Sequence, residues 1–479
     1  MTTQFDEVLN QDATSQSQLI KDRKIHSREL VESVIEKIET LNPDLNFVTT
    51  KMYDQALEAA SSKTLSGPFS GVPFLIKDFL AEIKGIRTTN SSYFLGDYVS
   101  DDDSELVKRY KMSGLIIVGK TNTPEMAIGV TTEPLRFGAT HNPWDLTRTP
   151  GGSSGGSATA VASRTVAMAH GNDAGGSIRI PAACCGVFGL RPSRGRNPLG
   201  PHFGDLFSGM VSEHALTRSV RDSATLLDVT SGQSIGDPYN ALPQSTPFAS
   251  EIYSKPTPIR IGFTKTTPLG TEIDKDCILA VERTAQLCED LGHHVVEASP
   301  KFDAELMWLS ATKALGVGTA WTIQSWARRL KKEPEKSQFE PFVWAYQEKA
   351  SQISAPEYLL AIEDMQKITR NIAKFFVDYD VWLTPTLGQS PVKLGTFDFD
   401  SGDPFKLRRR MANFSPYTYI ANATGQPAMS IPLHWNESNL PIGSHFIGRH
   451  NSESTLFRLA YQLEEARPWS NKLPNLKFS

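Results

Sequence analysis

The sequence predicts an α/β fold, because short apolar runs typical of buried strands alternate with longer segments typical of amphipathic helices. Residues 72–78 and 115–118 are two of the apolar runs, and a helical segment over residues 104–113 separates them. A second strand–helix–strand unit covers residues 259–296. This alternation indicates a sheet that is covered by helices.

The chain opens with a region, residues 15–60, in which we predict helices that pack on the core of the protein. Ser27 is a favourable N-cap, and apolar residues recur at helical spacing from Leu30 to Leu41. Pro43 is expected to end this helix, because proline lacks the backbone donor that a helix interior requires.

The run Val72-Pro73-Phe74-Leu75-Ile76-Lys77-Asp78 is apolar until its last two residues, which is typical of a buried central strand. The helix over residues 104–113 begins with acidic residues and ends before Gly114, and the next strand follows it. Lys77 is therefore expected at the end of a strand whose other residues are apolar.

The later elements follow the same pattern. Residues 138–157 are rich in glycine, serine, threonine and proline, and we predict an ordered loop because an Ala/Val-rich helix, residues 158–169, follows directly. The aromatic, helical region over about residues 303–378 is a candidate cover for a substrate site. The remaining predicted elements are helices over residues 219–232, 274–292 and 452–466 and strands over residues 382–386, 428–433 and 444–448.

Composition excludes several classes of function. A net charge of −4 among 479 residues provides no strong field for nucleic acid or an anionic membrane. We interpret the basic runs at residues 328–332 and 406–410 as solvated helix faces. Residues 1–24 are polar and no long apolar stretch occurs elsewhere, so we expect neither a signal peptide nor a membrane span, and we expect a cytoplasmic location.

The four cysteines, Cys184, Cys185, Cys277 and Cys288, have no zinc-binding spacing, and no His-Glu-x-x-His motif occurs. Cys184 and Cys185 lie in an apolar run, so we predict buried, reduced thiols. The sequence gives no reason to expect a metal or an organic cofactor.

Two glycine-rich segments carry the candidate chemistry: residues 151–157, which contain Ser153, and residues 172–182, which contain Ser177. Amide hydrolysis needs a nucleophile, a base and fixed donors for the developing oxyanion. Glycines allow backbone N–H groups to form a concave nest that binds negative charge. The residues that we predict to form this nest are Ala174, Gly175, Gly176 and Ser177.

The base is expected to be a lysine. Histidine is the usual choice, but none of the ten histidines has a motif-like spacing to these serines. A buried lysine can serve because burial disfavours its charged form and lowers its pKa. We therefore predict that Ser153 relays a proton between Ser177 and Lys77.

These segments resemble the amidase-signature family over about residues 65–230, with weaker similarity at residues 422–428 and 440–443. The resemblance implies one domain over residues 1–479, an α/β/α sandwich around a central mixed sheet, and a Ser–cis-Ser–Lys triad. By motif position the nucleophile is Ser177, the cis-serine Ser153 and the lysine Lys77. Asp173 and Arg179 match positions that hold the loop together, and Ser154 matches a position near the centre.

The implied function is hydrolysis of small amides through an acyl-enzyme, without a metal or cofactor. The expected partner is a small-molecule amide, and oligomeric state stays open, with a homodimer as one option. A finer resemblance is carried by residues 170–174, 192–196 and 214–219. It is to the subgroup of cyclic-dimer hydrolases of nylon oligomers, and it favours neutral, fairly apolar amides.

Two alternatives remain. Residues 151–155 match the Gly-x-Ser-x-Gly elbow of α/β-hydrolase esterases, but the two prolines in residues 141–150 disfavour the strand which that motif requires. The second alternative is the glutaminase subunit of a tRNA-dependent amidotransferase. Those relatives carry glutamine after the arginine of the second segment, where this chain has Ile180.

Overall fold

The structure is a computed structural model that describes residues 2–62, 65–399 and 402–476. These residues form eleven strands of one sheet. The strands are β1 (Val48–Lys51), β2 (Pro73–Lys77), β3 (Ile116–Thr121), β4 (Met168–Asp173), β5 (Phe188–Arg191), β6 (Ser212–Thr217), β7 (Arg260–Phe263), β8 (His294–Glu297), β9 (Val381–Pro385), β10 (Ala428–Trp435) and β11 (Pro441–Gly448).

The described residues also form sixteen α-helices that flank this sheet. They are α1 (Thr2–Asn10), α2 (Ala13–Lys21), α3 (Ser27–Leu45), α4 (Tyr53–Ala60), α5 (Glu105–Met112), α6 (Gly155–Ala162), α7 (Arg179–Cys185), α8 (Val220–Thr230), α9 (Phe248–Glu251), α10 (Lys275–Asp290), α11 (Ala304–Leu330), α12 (Pro341–Ala350), α13 (Ala355–Asp378), α14 (Pro404–Phe414), α15 (Thr418–Thr424) and α16 (Glu453–Ala466).

The sheet is mixed, with the strand order β1-β3-β2-β4-β6-β5-β10-β11-β9-β7-β8. Strand β2 pairs in parallel with β3 and β4, β7 pairs in parallel with β8 and β9, and the other pairs are antiparallel. The predicted α/β class and the central mixed sheet flanked by helices are confirmed.

Alternation along the strands shows that apolar packing covers both faces of the sheet. In β9, Val381 and Leu383 pack in one hydrophobic core, whereas Trp382 between them packs in another. In β2, Leu75 packs in the same core as Trp382, while Phe74 and Ile76 face a third cluster. Because successive side chains of a strand point to opposite faces, helices must lie on both sides.

Several local predictions need correction. Helix α3 continues through Pro43 to Leu45 and ends at Asn46, which has a left-handed φ of 50°. Residues 48–51, inside the predicted N-terminal helical region, form a strand that pairs with β3. The helix predicted over residues 158–169 spans Gly155–Ala162 instead, and the same small apolar composition continues into strand β4.

The pairing of β2 with β4 positions the site. The two strands are parallel, with Leu75 opposite Ala169. Their carboxyl ends, at Lys77 and Asp173, therefore lie at the same edge of the sheet. The glycine-rich loop before α6 and the loop before α7 meet this edge, where Ser154 N–H donates to the carbonyl oxygen of Ser177 at 3.1 Å.

Candidate active site

The Lys77 side chain is completely buried at the end of β2. Its Nζ lies 2.6 Å from Ser153 Oγ, 3.1 Å from Ser154 Oγ and 2.7 Å from Asn172 Oδ1. Burial is the main cause that lowers the pKa of Lys77 well below its usual value, and the charges of Asp173 and Glu213 oppose this shift. The environment therefore favours a neutral amine.

The three neighbours of Lys77 match the hydrogen-bonding capacity of a neutral amine, which has two N–H donors and one lone pair. Asn172 must accept through Oδ1, because its Nδ2 donates to the Phe79 carbonyl at 3.0 Å. Ser154 Oγ donates to the Asn172 carbonyl at 3.4 Å and so can accept from Lys77. The amine lone pair is then left for the Ser153 hydroxyl, 2.6 Å away.

Ser153 and Ser177 line one cavity. The peptide bond between Gly152 and Ser153 is cis, as the resemblance implied. Ser177 is partly exposed to the cavity, and in the described part of the chain its hydroxyl forms no hydrogen bond. The structure therefore brings Lys77 and Ser153 into direct contact and places Ser177 beside them, without a hydrogen bond between the two serines.

A buried ion pair supports the loop that contains Ser177. Arg179 donates through Nε and Nη2 to the two carboxylate oxygens of Asp173, at 2.9 Å each. Burial alone would raise the pKa of Asp173, but the Arg179 guanidinium holds it well below its ordinary value. Arg179 also donates to Asn422 Oδ1 at 2.7 Å and to His445 Nε2 at 2.9 Å. This loop is thus tied to α15 and β11.

The predicted oxyanion nest loses one of its four donors. The Gly176 N–H donates to Asp173 Oδ1 at 2.7 Å, so it does not face the cavity as a free donor. The N–H groups of Ala174, Gly175 and Ser177 have no acceptor among the described residues. Gly176 serves the loop in another way, because its φ is 130° and a Cβ there would lie 2.3 Å from Thr418 Oγ1.

The cavity in front of the two serines is lined mainly by apolar side chains. Apart from residues of the two serine-containing segments, its polar lining residues are Tyr346 and Arg408. The apolar lining consists of Phe79, Ala127, Ile128, Val130, Ala174, Ile180, Phe207, Val211 and Leu315. Leu315 comes from α11 and Tyr346 from α12, within the region predicted to cover a substrate. No carboxylate among the described residues lines this cavity.

The interpretation of the two basic runs as solvated helix faces was wrong in part. Arg408 is half-buried and lines the cavity, because α14 turns it inward while Arg410 stays exposed. Arg329 forms an ion pair with the buried Glu82 at 2.7 Å. A single basic run does not show which of its members a helix turns inward.

Sequence reasoning also missed Asn172 and Asn422 as members of the site. Asn172 lies inside the second glycine-rich segment, and Asn422 lies in the weakly similar segment over residues 422–428. Asn422 Nδ2 donates to the Asp173 carbonyl at 2.9 Å and to Asp173 Oδ1 at 2.8 Å. The similarity of its segment was the signal that could have pointed to it.

A central strand that ends in a buried lysine of lowered pKa, beside two serines that line a largely apolar cavity, is an arrangement suited to the hydrolysis of carbon–nitrogen amide bonds. Family comparison leads to the same class. The chain belongs to the Amidase family, whose sequence model matches residues 29–457.

Individual relatives agree with this family. The 6-aminohexanoate-cyclic-dimer hydrolase of Paenarthrobacter ureafaciens is 34% identical over 478 residues, 97% of each chain. A solved structure of 6-aminohexanoate cyclic dimer hydrolase superposes with a TM-score of 0.93 at 34% identity and covers 98% of this chain and 99% of that one. A bacterial aryl acylamidase of the amidase-signature family gives a TM-score of 0.87 at 27% identity, covering 98% and 99%.

The predicted family and the hydrolysis of amide bonds are therefore confirmed, and the comparisons do not support the two alternatives. The structure of 6-aminohexanoate cyclic dimer hydrolase has also been solved in complex with its substrate, at the same TM-score of 0.93 and 34% identity to this chain. The predicted state of the cysteines is confirmed as well, because all four are buried and unpaired.

Two further properties concern the described residues only. Among residues 2–62, 65–399 and 402–476, none of the helices combines the length and the apolar character that a bilayer crossing requires. In the same ranges, no group of three or more His, Cys, Asp and Glu side chains could bind a metal ion.

Proposed function

We propose that this amidase hydrolyses small amides through an acyl-enzyme on Ser177, with Ser153 as the proton relay and neutral Lys77 as the base. The amine lone pair of Lys77 takes the Ser153 proton while Ser153 takes the proton of Ser177. Ser177 Oγ then attacks the amide carbonyl carbon. The observation that carries this proposal is the set of three partners around Lys77, which leaves only Ser153 for the lone pair.

The negative charge that develops on the carbonyl oxygen is stabilised by backbone N–H groups of the loop at residues 174–177. Gly175 and Ser177 line the cavity and have unused N–H groups, as does Ala174. The carbon–nitrogen bond breaks when the relay returns the proton to the amine. Water, activated by the same relay, then cleaves the ester to Ser177 and releases the carboxylate.

Apolar side chains around the serines favour a substrate in which the groups next to the reacting amide are uncharged. They also exclude water, which keeps Lys77 neutral and strengthens each dipole that faces the carbonyl. A free glutamine substrate would place its α-ammonium in a cavity without a carboxylate to pair with it. This argues against the glutaminase alternative.

A serine-directed fluorophosphonate probe followed by peptide mapping tests the roles of these residues. We expect one adduct, on Ser177, that is absent in Ser177→Ala and at least ~100-fold slower to form in Lys77→Met, the range for loss of a general base. Ser157→Ala is the matched control, because Ser157 lies in the first glycine-rich segment but bonds to Thr121 and the His170 carbonyl, away from the cavity.

The labelling rate of the control variant and the position of the adduct distinguish the possible explanations of a loss of labelling. Labelling of Ser157→Ala at the wild-type rate would show that the losses are not a general effect of altering this region. An adduct on Ser153 instead of Ser177 would reverse the assignment of nucleophile and relay. Undiminished labelling of Lys77→Met would remove lysine as the base.

Other predictions rest on the same family membership. We infer that residues 1–479 form one domain, supported by the single sheet that contains strands from Val48 to Gly448. We infer that α11 and α12 cover the substrate, supported by Leu315 and Tyr346 in the cavity wall. The cytoplasmic location and the homodimer stay predictions.

A further inference from the structure

A second space, here called the distal chamber, adjoins the cavity at Ser177. The two spaces share Val130, Gly175, Leu315 and Arg408 in their walls. Beyond these residues, the wall of the distal chamber includes Trp308 and Thr312 of α11 and Met411 of α14. The distal chamber is therefore the space next to the reacting amide on the side of Arg408.

Arg408 lines both spaces, and no described residue neutralises its charge. No carboxylate among the described residues forms an ion pair with it, and its buried Nε has no hydrogen-bond partner there. Its contacts are weak, with Met411 Sδ 3.8 Å from Nη1 and the Tyr346 ring centre 5.8 Å from the guanidinium carbon.

The other two arginines of the same helix each donate to an oxygen acceptor, which Arg408 does not. Arg409 Nη1 donates to both carboxylate oxygens of Glu305, at 2.9 and 2.7 Å. Arg410 Nη2 is exposed and donates to the Thr396 carbonyl at 2.9 Å. Arg408 has no oxygen acceptor among the described residues, so its donors are available to a ligand anion.

A second unused polar group lies in the same chamber. Tyr419 of α15 lines it, and the buried hydroxyl of Tyr419 has no hydrogen-bond partner among the described residues. Burial raises the pKa of Tyr419, so the phenol stays protonated and can donate. The chamber thus offers a guanidinium and a hydroxyl in an otherwise apolar wall, and this combination suits a carboxylate.

We propose that the distal chamber is a carboxylate subsite, in which Arg408 and Tyr419 bind a carboxylate that an apolar spacer joins to the scissile amide. The inference rests on the proposed function, because it places the amide at Ser177. With this subsite, the substrate is expected to be neutral only around the reacting carbonyl and to carry a carboxylate farther away. Arg408 is then a specificity-determining residue that does not touch the reacting atoms.

The test compares matched substrates that differ in one charge. Glutaryl and adipoyl p-nitroanilides carry a carboxylate on the acyl side, and N-acetyl-6-aminohexanoate carries one on the amine side. Each is paired with its methyl ester. We expect wild type to prefer a carboxylate member over its ester by roughly 10-fold or more in kcat/KM, since hydrogen bonds between charged groups are worth that much or more.

The variants separate a subsite from a structural role. Arg408→Gln should lower kcat/KM for the preferred carboxylate substrate by roughly 10- to 100-fold, mainly through KM, and leave its ester within about 3-fold. Arg408→Lys should restore part of the loss, and Tyr419→Phe should show a smaller loss of the same selectivity. Arg410→Gln is the matched control on the exposed face of α14 and should behave like wild type.

Binding without turnover keeps the two proposals distinguishable. Glutarate and adipate should bind to Ser177→Ala, by calorimetry, more tightly than to the Ser177→Ala/Arg408→Gln double variant. Equal affinity of the two variants for glutarate and adipate would overturn the subsite. An equal loss of kcat/KM for the carboxylate substrate and its ester in Arg408→Gln would also overturn it. If the fluorophosphonate probe labelled no serine but the diacids still bound in a way that depends on Arg408, the proposed function would be wrong and the subsite would remain supported.

Discussion

Replacing Asn172 by aspartate tests the electrostatics on which the lysine mechanism depends. The change is nearly isosteric, but it places a carboxylate 2.7 Å from Lys77 Nζ, where the protein has a neutral amide oxygen. At that distance two unit charges interact by about 6 kcal/mol at an effective dielectric constant of ~20. Neighbouring opposite charges in proteins commonly shift a pKa by ~1–3 units, and we adopt this smaller range.

The direction of the change in activity follows from the need for a neutral lysine as the base. A nearby carboxylate favours the charged ammonium, so the pKa of Lys77 rises and the neutral fraction at pH 7 falls. Below that pKa, activity falls tenfold for each pH unit. We therefore expect the ascending limb of the pH profile of kcat/KM for Asn172→Asp to move ~1–3 units toward alkaline pH, so that kcat/KM at a pH on that limb is ~10- to 1000-fold below the wild-type value.

The assay is the pH dependence of kcat/KM, followed with an anilide substrate from pH 5 to 10. Asn172→Leu is the control, because it removes the same acceptor without adding charge and should lower activity at every pH without an alkaline shift. Thermal melts would show whether loss of the Asn172 donor to the Phe79 carbonyl unfolds the protein. An Asn172→Asp profile with an unshifted ascending limb would refute lysine as the base.

Three further predictions concern the loop, its ion pair and a buried carboxyl. Gly176→Ala should strongly reduce stability and activity, since its Cβ would lie 2.3 Å from Thr418 Oγ1, whereas Gly175→Ala, which meets no atom within 4 Å, should fold normally in a melting experiment. Arg179→Met should lower the free energy of unfolding by ~3–5 kcal/mol in urea titrations, because it leaves Asp173 buried and unpaired. Burial and the neighbouring Glu340 raise the pKa of Glu125 to about 8 in the folded protein. The stability from its protonated form is therefore present below the unfolded pKa and lost as pH rises through about 8. Glu125→Gln should accordingly weaken the decline of Tm between pH 6 and 9, and an unchanged decline would contradict the assignment.

Local sequence signals predicted the parts of the site that lie on single segments. The apolar run that ends in Lys77 indicated a buried strand, and the two glycine-rich segments indicated the loops with Ser153 and Ser177. The flanking strands β5 and β6 were not predicted. Their four- and six-residue lengths give little periodicity, and both are buried along their whole length.

Long-range contacts were beyond reach of local patterns. Asn422 is 249 positions from Asp173, and only the folded chain shows that its amide holds the Asp173 carboxylate and carbonyl. Arg408 illustrates the same limit on a single helix, since three adjacent arginines have the same charge but different surroundings. Which of them faces a cavity depends on how α14 packs against other elements, such as α12, and composition does not encode this packing.

In the proposed mechanism one loop serves both a neutral lysine and a developing anion, and the apolar wall and the buried ion pair explain how. Burial lowers the pKa of Lys77, but it would equally raise the cost of any charge nearby. Asp173 escapes this cost because Arg179 and Asn422 satisfy it behind the loop, away from the cavity. Its carboxylate takes up the Gly176 N–H and so fixes the loop while the neighbouring N–H groups stay unused. Donors fixed in this way need no reorganisation when the carbonyl oxygen gains charge. This preorganisation is how a rigid site lowers the barrier of the reaction.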